Sequence, residues 1–127
     1  MELKTPHIPL GISLDEGIEI LGGVSSEIKK YEEEKEDFYK VQEGDWECGF
    51  YAKNGMVHSA WYNDPYGRDD EMGINRKVTL YLARYGNIED WEDRLNNGWI
   101  QFFFNEKSGV NMAYGLHKDV LRFNQIA

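Results

Sequence analysis

Two residues, Asn54 and Gly55, constrain the fold of this chain more than any others. They stand between two alternating runs, 45–53 and 56–62, and Asn-Gly accepts the positive φ angles of a two-residue turn whose twist matches paired strands. The sequence therefore predicts a β-hairpin near the middle of the chain. In its first strand Trp46, Cys48 and Phe50 share one face, and Glu47, Gly49 and Tyr51 the other. In its second, strict alternation sets Met56, His58, Ala60 and Tyr62 against Val57, Ser59 and Trp61. Both faces carry aromatics, so either the sheet is covered on two sides or its outer face is a contact surface.

The hairpin leads into WYNDPYGRDDE, residues 61–71. Asn63, Asp64 and Pro65 favour a turn, Gly67 can take a positive φ, and Asp69, Asp70 and Glu71 suit the first turn of a helix, where its dipole stabilises negative charge. Ile74, Val78, Tyr81, Leu82 and Tyr85 then form one buried helical stripe, capped at Gly86, with Arg76, Lys77 and Arg84 off it. Nearer the start, Ser13 and Glu16 make a capping box for a short helix ending at Gly22 and Gly23. A second helix is expected over 25–36, with Ile28 and Tyr31 inward and the glutamates outward.

Beyond Gly86, residues 87–95 suit one or two helical turns with Ile88, Trp91 and Leu95 inward. Runs 99–105 and 110–116 read as a second hairpin, with Ile100, Phe102 and Phe104 on one side. Residues 118–126 fit either a short helix or an edge strand. The order of elements predicts an α+β fold: one domain over residues 1–127, with an antiparallel sheet of two hairpins, four or five strands in all, covered by helices on one face.

The net charge of −9 is unevenly placed. Residues 15–47 hold twelve acids against four lysines, and residues 64–93 hold eight acids against four bases, whereas the chain from Arg94 onward is mildly positive. Such a field repels phosphate backbones and attracts basic partners, which argues against direct nucleic-acid binding. No apolar run reaches about 18 residues, and the first twenty lack the pattern of a signal peptide, so a soluble, cytoplasmic protein that binds no membrane is expected.

Chemical motifs are sparse. Cys48 is the sole cysteine, which excludes an intramolecular disulfide and a cysteine-based metal cluster. His7, His58 and His117 lack the spacing of a preformed metal site. No G-x-S-x-G elbow and no phosphate-binding glycine loop occurs, and Pro65 and Tyr66 break the spacing a calcium loop needs. No cofactor and no catalytic residue is therefore assigned.

What remains is an acidic surface with aromatics beside loops and turns, the ingredients of a protein-protein hot spot. The expectation is a binding module rather than an enzyme. It is an immunity or inhibitor protein, of bacterial or phage type, that occupies the phosphate-binding surface of a basic nuclease-type toxin or defence protein. Trp61, Tyr66, Asp69, Asp70 and Glu71 are the expected contacts, with Glu32, Glu33 and Glu34 as a second patch. The alternatives are a structural protein that self-associates, for instance as a homodimer, and a small-molecule-binding or hydrolytic enzyme with a pocket between sheet and helices.

Overall fold

A computed structural model of the chain describes residues 3–65, 76–115 and 118–126. Its centre is one open antiparallel sheet of eight strands: β1 (Lys29–Glu32), β2 (Asp37–Glu43), β3 (Trp46–Lys53), β4 (Met56–Asn63), β5 (Glu92–Asn96), β6 (Ile100–Asn105), β7 (Val110–Gly115) and β8 (Val120–Gln125). The strand order is β1-β2-β3-β4-β8-β7-β6-β5, so two four-stranded meanders meet where β4 pairs with β8. Two short helices, α1 (Leu14–Gly22) and α2 (Arg76–Leu82), pack on one face through Leu21, Val78, Tyr81 and Leu82. No helix among the described residues is long and apolar enough to cross a membrane.

The expected four or five strands are thus corrected to eight, and the largest correction lies in residues 25–36. They form no helix: β1 and the turn after it occupy this stretch, and Tyr31, expected inward, is 45 % exposed opposite Phe38 of β2. Cross-strand aromatic pairing outweighs the helical preference of the glutamate run. Residues 87–95 contain one 3₁₀ turn, Ile88–Asp90, and then β5, leaving Ile88 and Leu95 exposed. Residues 118–126 form neither a helix nor an edge: β8 is central, flanked by β4 and β7.

The hairpin of Asn54 and Gly55 forms as the sequence predicts, both residues taking positive φ, 54° and 76°. Its second strand departs from strict alternation. Pairing steps from Tyr51 with Ser59 to Ala52 with Val57, so His58 is the extra residue of a β-bulge. The bulge turns Val57 inward beside Ala60 and Tyr62, on the face that strict alternation gives to Met56 and His58. It also marks where β4 changes neighbour. From Ser59 onward β4 pairs with β8, whereas Val57 bonds in both directions with the N-terminal segment, to Gly11 at 2.7 Å and to Ile12 at 2.8 Å.

That N-terminal segment is held over the sheet by tyrosines. Tyr62 and Tyr85 hydroxyls lie 2.6 Å apart; Tyr85 donates to the Ile8 carbonyl at 2.6 Å, and the Ile8 amide donates to Tyr62 at 3.1 Å. Arg84 donates to Thr5 and Pro6 carbonyls at 2.6 and 3.0 Å. The capping box of α1 is present, with Ser13 Oγ accepting from the Glu16 amide at 3.2 Å, and Gly23 closes the helix. The helical stripe Val78, Tyr81, Leu82 and Tyr85 is buried, and Ile74 lies outside the described residues. Lys77, expected off that stripe, is fully buried. Its ammonium donates to the Asp64 carbonyl and faces the Asp119 carboxylate at 3.3 Å.

Candidate functional site

The sheet face turned away from α1 and α2 is built from the outward positions of the strands. Phe38 of β2 and Tyr51 of β3 are cross-strand partners, stacked with ring centroids 4.5 Å apart. Tyr31, opposite Phe38 on β1, stacks at 6.0 Å, and Trp61 on β4 meets Phe38 edge-on at 5.3 Å. Four adjacent strands therefore deliver one aromatic each, converging on Phe38. Phe38 itself is 9 % exposed, while Tyr51 and Trp61 are half-buried.

Charges are threaded through the cluster. Lys40 Nζ lies 5.6 Å from the Tyr31 ring and 5.9 Å from the Trp61 ring, tied to Glu47 at 3.1 Å. The Arg122 guanidinium from β8 sits 3.8 Å from the Tyr51 ring centre. Its Nε donates to Ser59 Oγ at 2.8 Å and Asn124 Oδ1 at 3.1 Å, and its Nη2 reaches Glu36 at 3.3 Å. The other oxygen of Glu36 lies 2.5 Å from His58 Nε2, without the alignment of a hydrogen bond. Burial pushes the Tyr51 hydroxyl pKa up; Arg122 opposes the rise, and Glu33 and Glu36 add to it. The acidic tip of the β1-β2 hairpin is thus electrically coupled to the aromatic face.

Of the residues expected to bind a partner, Trp61 lies on this face. Glu32 ends β1, and Glu33 and Glu34 lie in the turn that follows, at the edge of the same sheet rather than on a helix. Tyr66, Asp69, Asp70 and Glu71 lie outside the described residues. Tyr31, Phe38, Tyr51, Glu36 and Arg122 complete the cluster, and single-strand patterns do not single them out. The Asn54-Gly55 turn with strict alternation would set Tyr51 and Trp61 on opposite faces, and the bulge at His58 brings them to a common one.

The catalytic alternatives can be placed as well. His7 and His58 line a hollow of about 610 Å³ with Tyr85 and Ser108, and burial, followed by the nearby Arg84, lowers the His7 pKa. Among the described residues no hydrogen bond joins either histidine to a serine hydroxyl or to the Cys48 thiol, and no group of three or more His, Cys, Asp and Glu is set to hold a metal ion. Cys48 is fully buried, and its thiol is pushed up to about 12 by desolvation, with Arg84 opposing. At pH 8 that leaves a thiolate fraction of about one in ten thousand. Alkylation of folded protein by iodoacetamide is therefore expected to follow the rate of unfolding and to become rapid only in denaturant. Comparison of the chain with protein-family models, with curated proteins and with solved structures finds no match.

Proposed function

We propose that this chain is an acidic protein-binding module acting as an immunity-type inhibitor, which occupies the phosphate-binding surface of a basic, nucleic-acid-handling partner. The observation that carries the reading is the aromatic cluster of Tyr31, Phe38, Tyr51 and Trp61 on one sheet face, with Glu33 and Glu36 close enough to raise the Tyr51 pKa and Glu32 and Glu34 beside Glu33 at the hairpin tip. Rings supply a large contact area at low side-chain entropy cost and attract arginine and lysine through their faces. Carboxylates at the border steer a basic surface toward them, and the net charge of −9 does so at longer range. Both edge strands are fully exposed and rich in charge, which discourages strand-to-strand aggregation and leaves the face as the place for contact.

The test is retention of proteins from a lysate of the source organism on the immobilised chain at low and high salt, followed by assay of the retained protein with and without the chain. One basic protein is expected, released by salt, whose action on nucleic acid falls when the chain is added. Trp61→Ala is expected to weaken that binding by about thirtyfold, the scale of one aromatic anchor. Glu32, Glu33 and Glu34 changed together to glutamine are expected to reduce its salt dependence. A chain that sediments as a homodimer through this face and retains no basic protein overturns the proposal.

A further inference from the structure

The other half of the same sheet face has a different character. On β7 the outward positions after Asn111 are Ala113 and Gly115, the two smallest side chains available, flanked by Ile100 of β6 and Val120 of β8. This leaves a hollow of about 320 Å³ walled almost wholly by carbon, at the lower end of the sizes of small-ligand sites. Trp99, 72 % exposed, stands over one side of it.

The floor of the hollow is not dictated by the backbone. Gly115 has no left-handed φ. A Cβ built there meets only Lys118 Cβ and the Val120 carbonyl oxygen, each at an ordinary 3.8 Å. Glycine in a strand forgoes packing and backbone order without return, unless something else approaches it closely. Two cations complete the lining, and they differ. The Arg122 guanidinium is turned away, committed to Tyr51, Ser59, Asn124 and Glu36, so its stem is what faces the hollow. Lys118 is exposed at the rim, in the turn between β7 and β8, and makes no ion pair among the described residues.

From this geometry we propose that the hollow binds a small amphipathic carboxylate, its apolar chain or ring lying over Ala113 and Gly115 against Trp99 and its carboxylate meeting Lys118. An apolar body removes the exposed indole and the partly exposed Val120 from water, and a single negative head suits the Lys118 ammonium at the rim. The site shares Arg122 with the Phe38 cluster and none of that cluster's aromatic rings, so binding here does not depend on the inhibitor reading.

The test is a titration of the full-length chain with sodium decanoate, followed by backbone-amide and indole NMR signals. Saturable shifts are expected at the Trp99 indole and at Ala113, Gly115 and Val120, with Tyr31 and Phe38 unmoved. Gly115→Val, which fills the floor, is expected to weaken binding by about tenfold or more. Lys118→Glu is expected to weaken decanoate by about fivefold while leaving decanol unchanged. Should Gly115→Val lose the dispersed spectrum of a folded chain, Ala113→Leu fills the same floor. The proposal is overturned if decanoate produces no saturable shifts at these residues, if filling the floor leaves affinity unchanged, or if decanol binds as tightly as decanoate.

Discussion

Replacing Lys77 by methionine is expected to lower the free energy of unfolding by about 3 kcal/mol or more, read as a shifted urea midpoint at unchanged slope. The lysine is fully buried, so its charge has given up its hydration. What compensates is the Asp64 carbonyl, which accepts from the ammonium, and the Asp119 carboxylate at 3.3 Å. The Asp64 side chain, 4 % exposed, in turn accepts from the Tyr81 hydroxyl at 2.7 Å, and Tyr81 shares a hydrogen bond with Thr5 at 2.8 Å. Methionine matches the aliphatic length but removes the cation, so the Asp64 carbonyl loses its ammonium donor and the Asp119 carboxylate its ion pair with Lys77. Asp119→Asn is expected to cost less, because the Asp119 side chain keeps an acceptor and is 20 % exposed. The two changes together are expected to cost less than their sum, since each removes the reason the other was harmful. A Lys77→Met chain as stable as its parent would mean that the ammonium is not held in the interior as the structure places it.

Lys77 also shows how far pattern reading reaches. The stripe of Val78, Tyr81, Leu82 and Tyr85 follows from helical spacing and is buried as that spacing predicts. A lysine beside the stripe looks solvated, because nothing local announces that Asp64, before the helix, and Asp119, in the turn ahead of β8, come to meet it. Those partners are brought by topology, which periodicity does not encode. The same limit hid half of the sheet. β3, β4 and β7 largely alternate because one face is buried, whereas β1 reads KKYE and β5 reads EDRLN, both exposed at every position. An edge strand bonded on one side, with no covering element over its outward face, has no apolar period to display. β8 was ambiguous for a related reason, as the polar residues Arg122 and Asn124 alternate with Leu121 and Phe123 over only six positions.

The candidate contact face was partly readable. Trp61 was an expected contact and lies on this face, whereas Tyr51 shares it only through the bulge at His58, because strict alternation across the Asn54-Gly55 turn sets the two rings on opposite faces. Phe38 did not stand out, although it joins the cluster, because it sits where the expected helix was to end and the strand pattern to begin. Helical spacing puts Glu32, Glu33 and Glu34 on a helix surface, whereas the structure sets them at the tip of the β1-β2 hairpin, where Glu33 is close enough to raise the Tyr51 pKa. Their composition was informative; their geometry required the strand pairing.

That strand pairing depends on Gly49, and Gly49→Ala is expected to destabilise the fold by about 3 kcal/mol or more, measured as a fall in the thermal midpoint by circular dichroism. Gly49 lies in β3 opposite Lys40 of β2 and Trp61 of β4. A Cβ there falls far inside van der Waals contact of the Tyr39 carbonyl oxygen, 2.9 Å from Lys40 Cβ and 3.0 Å from Lys40 Cα. Two of these three neighbours are backbone atoms inside a paired strand, so no rotamer change relieves the crowding. β2 must move away from β3, weakening the pairs from Asp37 with Ala52 to Glu43 with Trp46. Because β2 also carries Phe38 and Lys40, the displacement separates Phe38 from Tyr51 and Trp61, and the near-ultraviolet aromatic signal is expected to fall along with the midpoint. Gly22→Ala is the matched control. Gly22 is the last residue of α1, takes no left-handed φ, and has open space where its Cβ would lie, so Gly22→Ala should leave the midpoint unchanged or slightly raised. Equal effects at the two positions would show that the close approach of β2 to β3, and with it the aromatic face built on that approach, is not the one described.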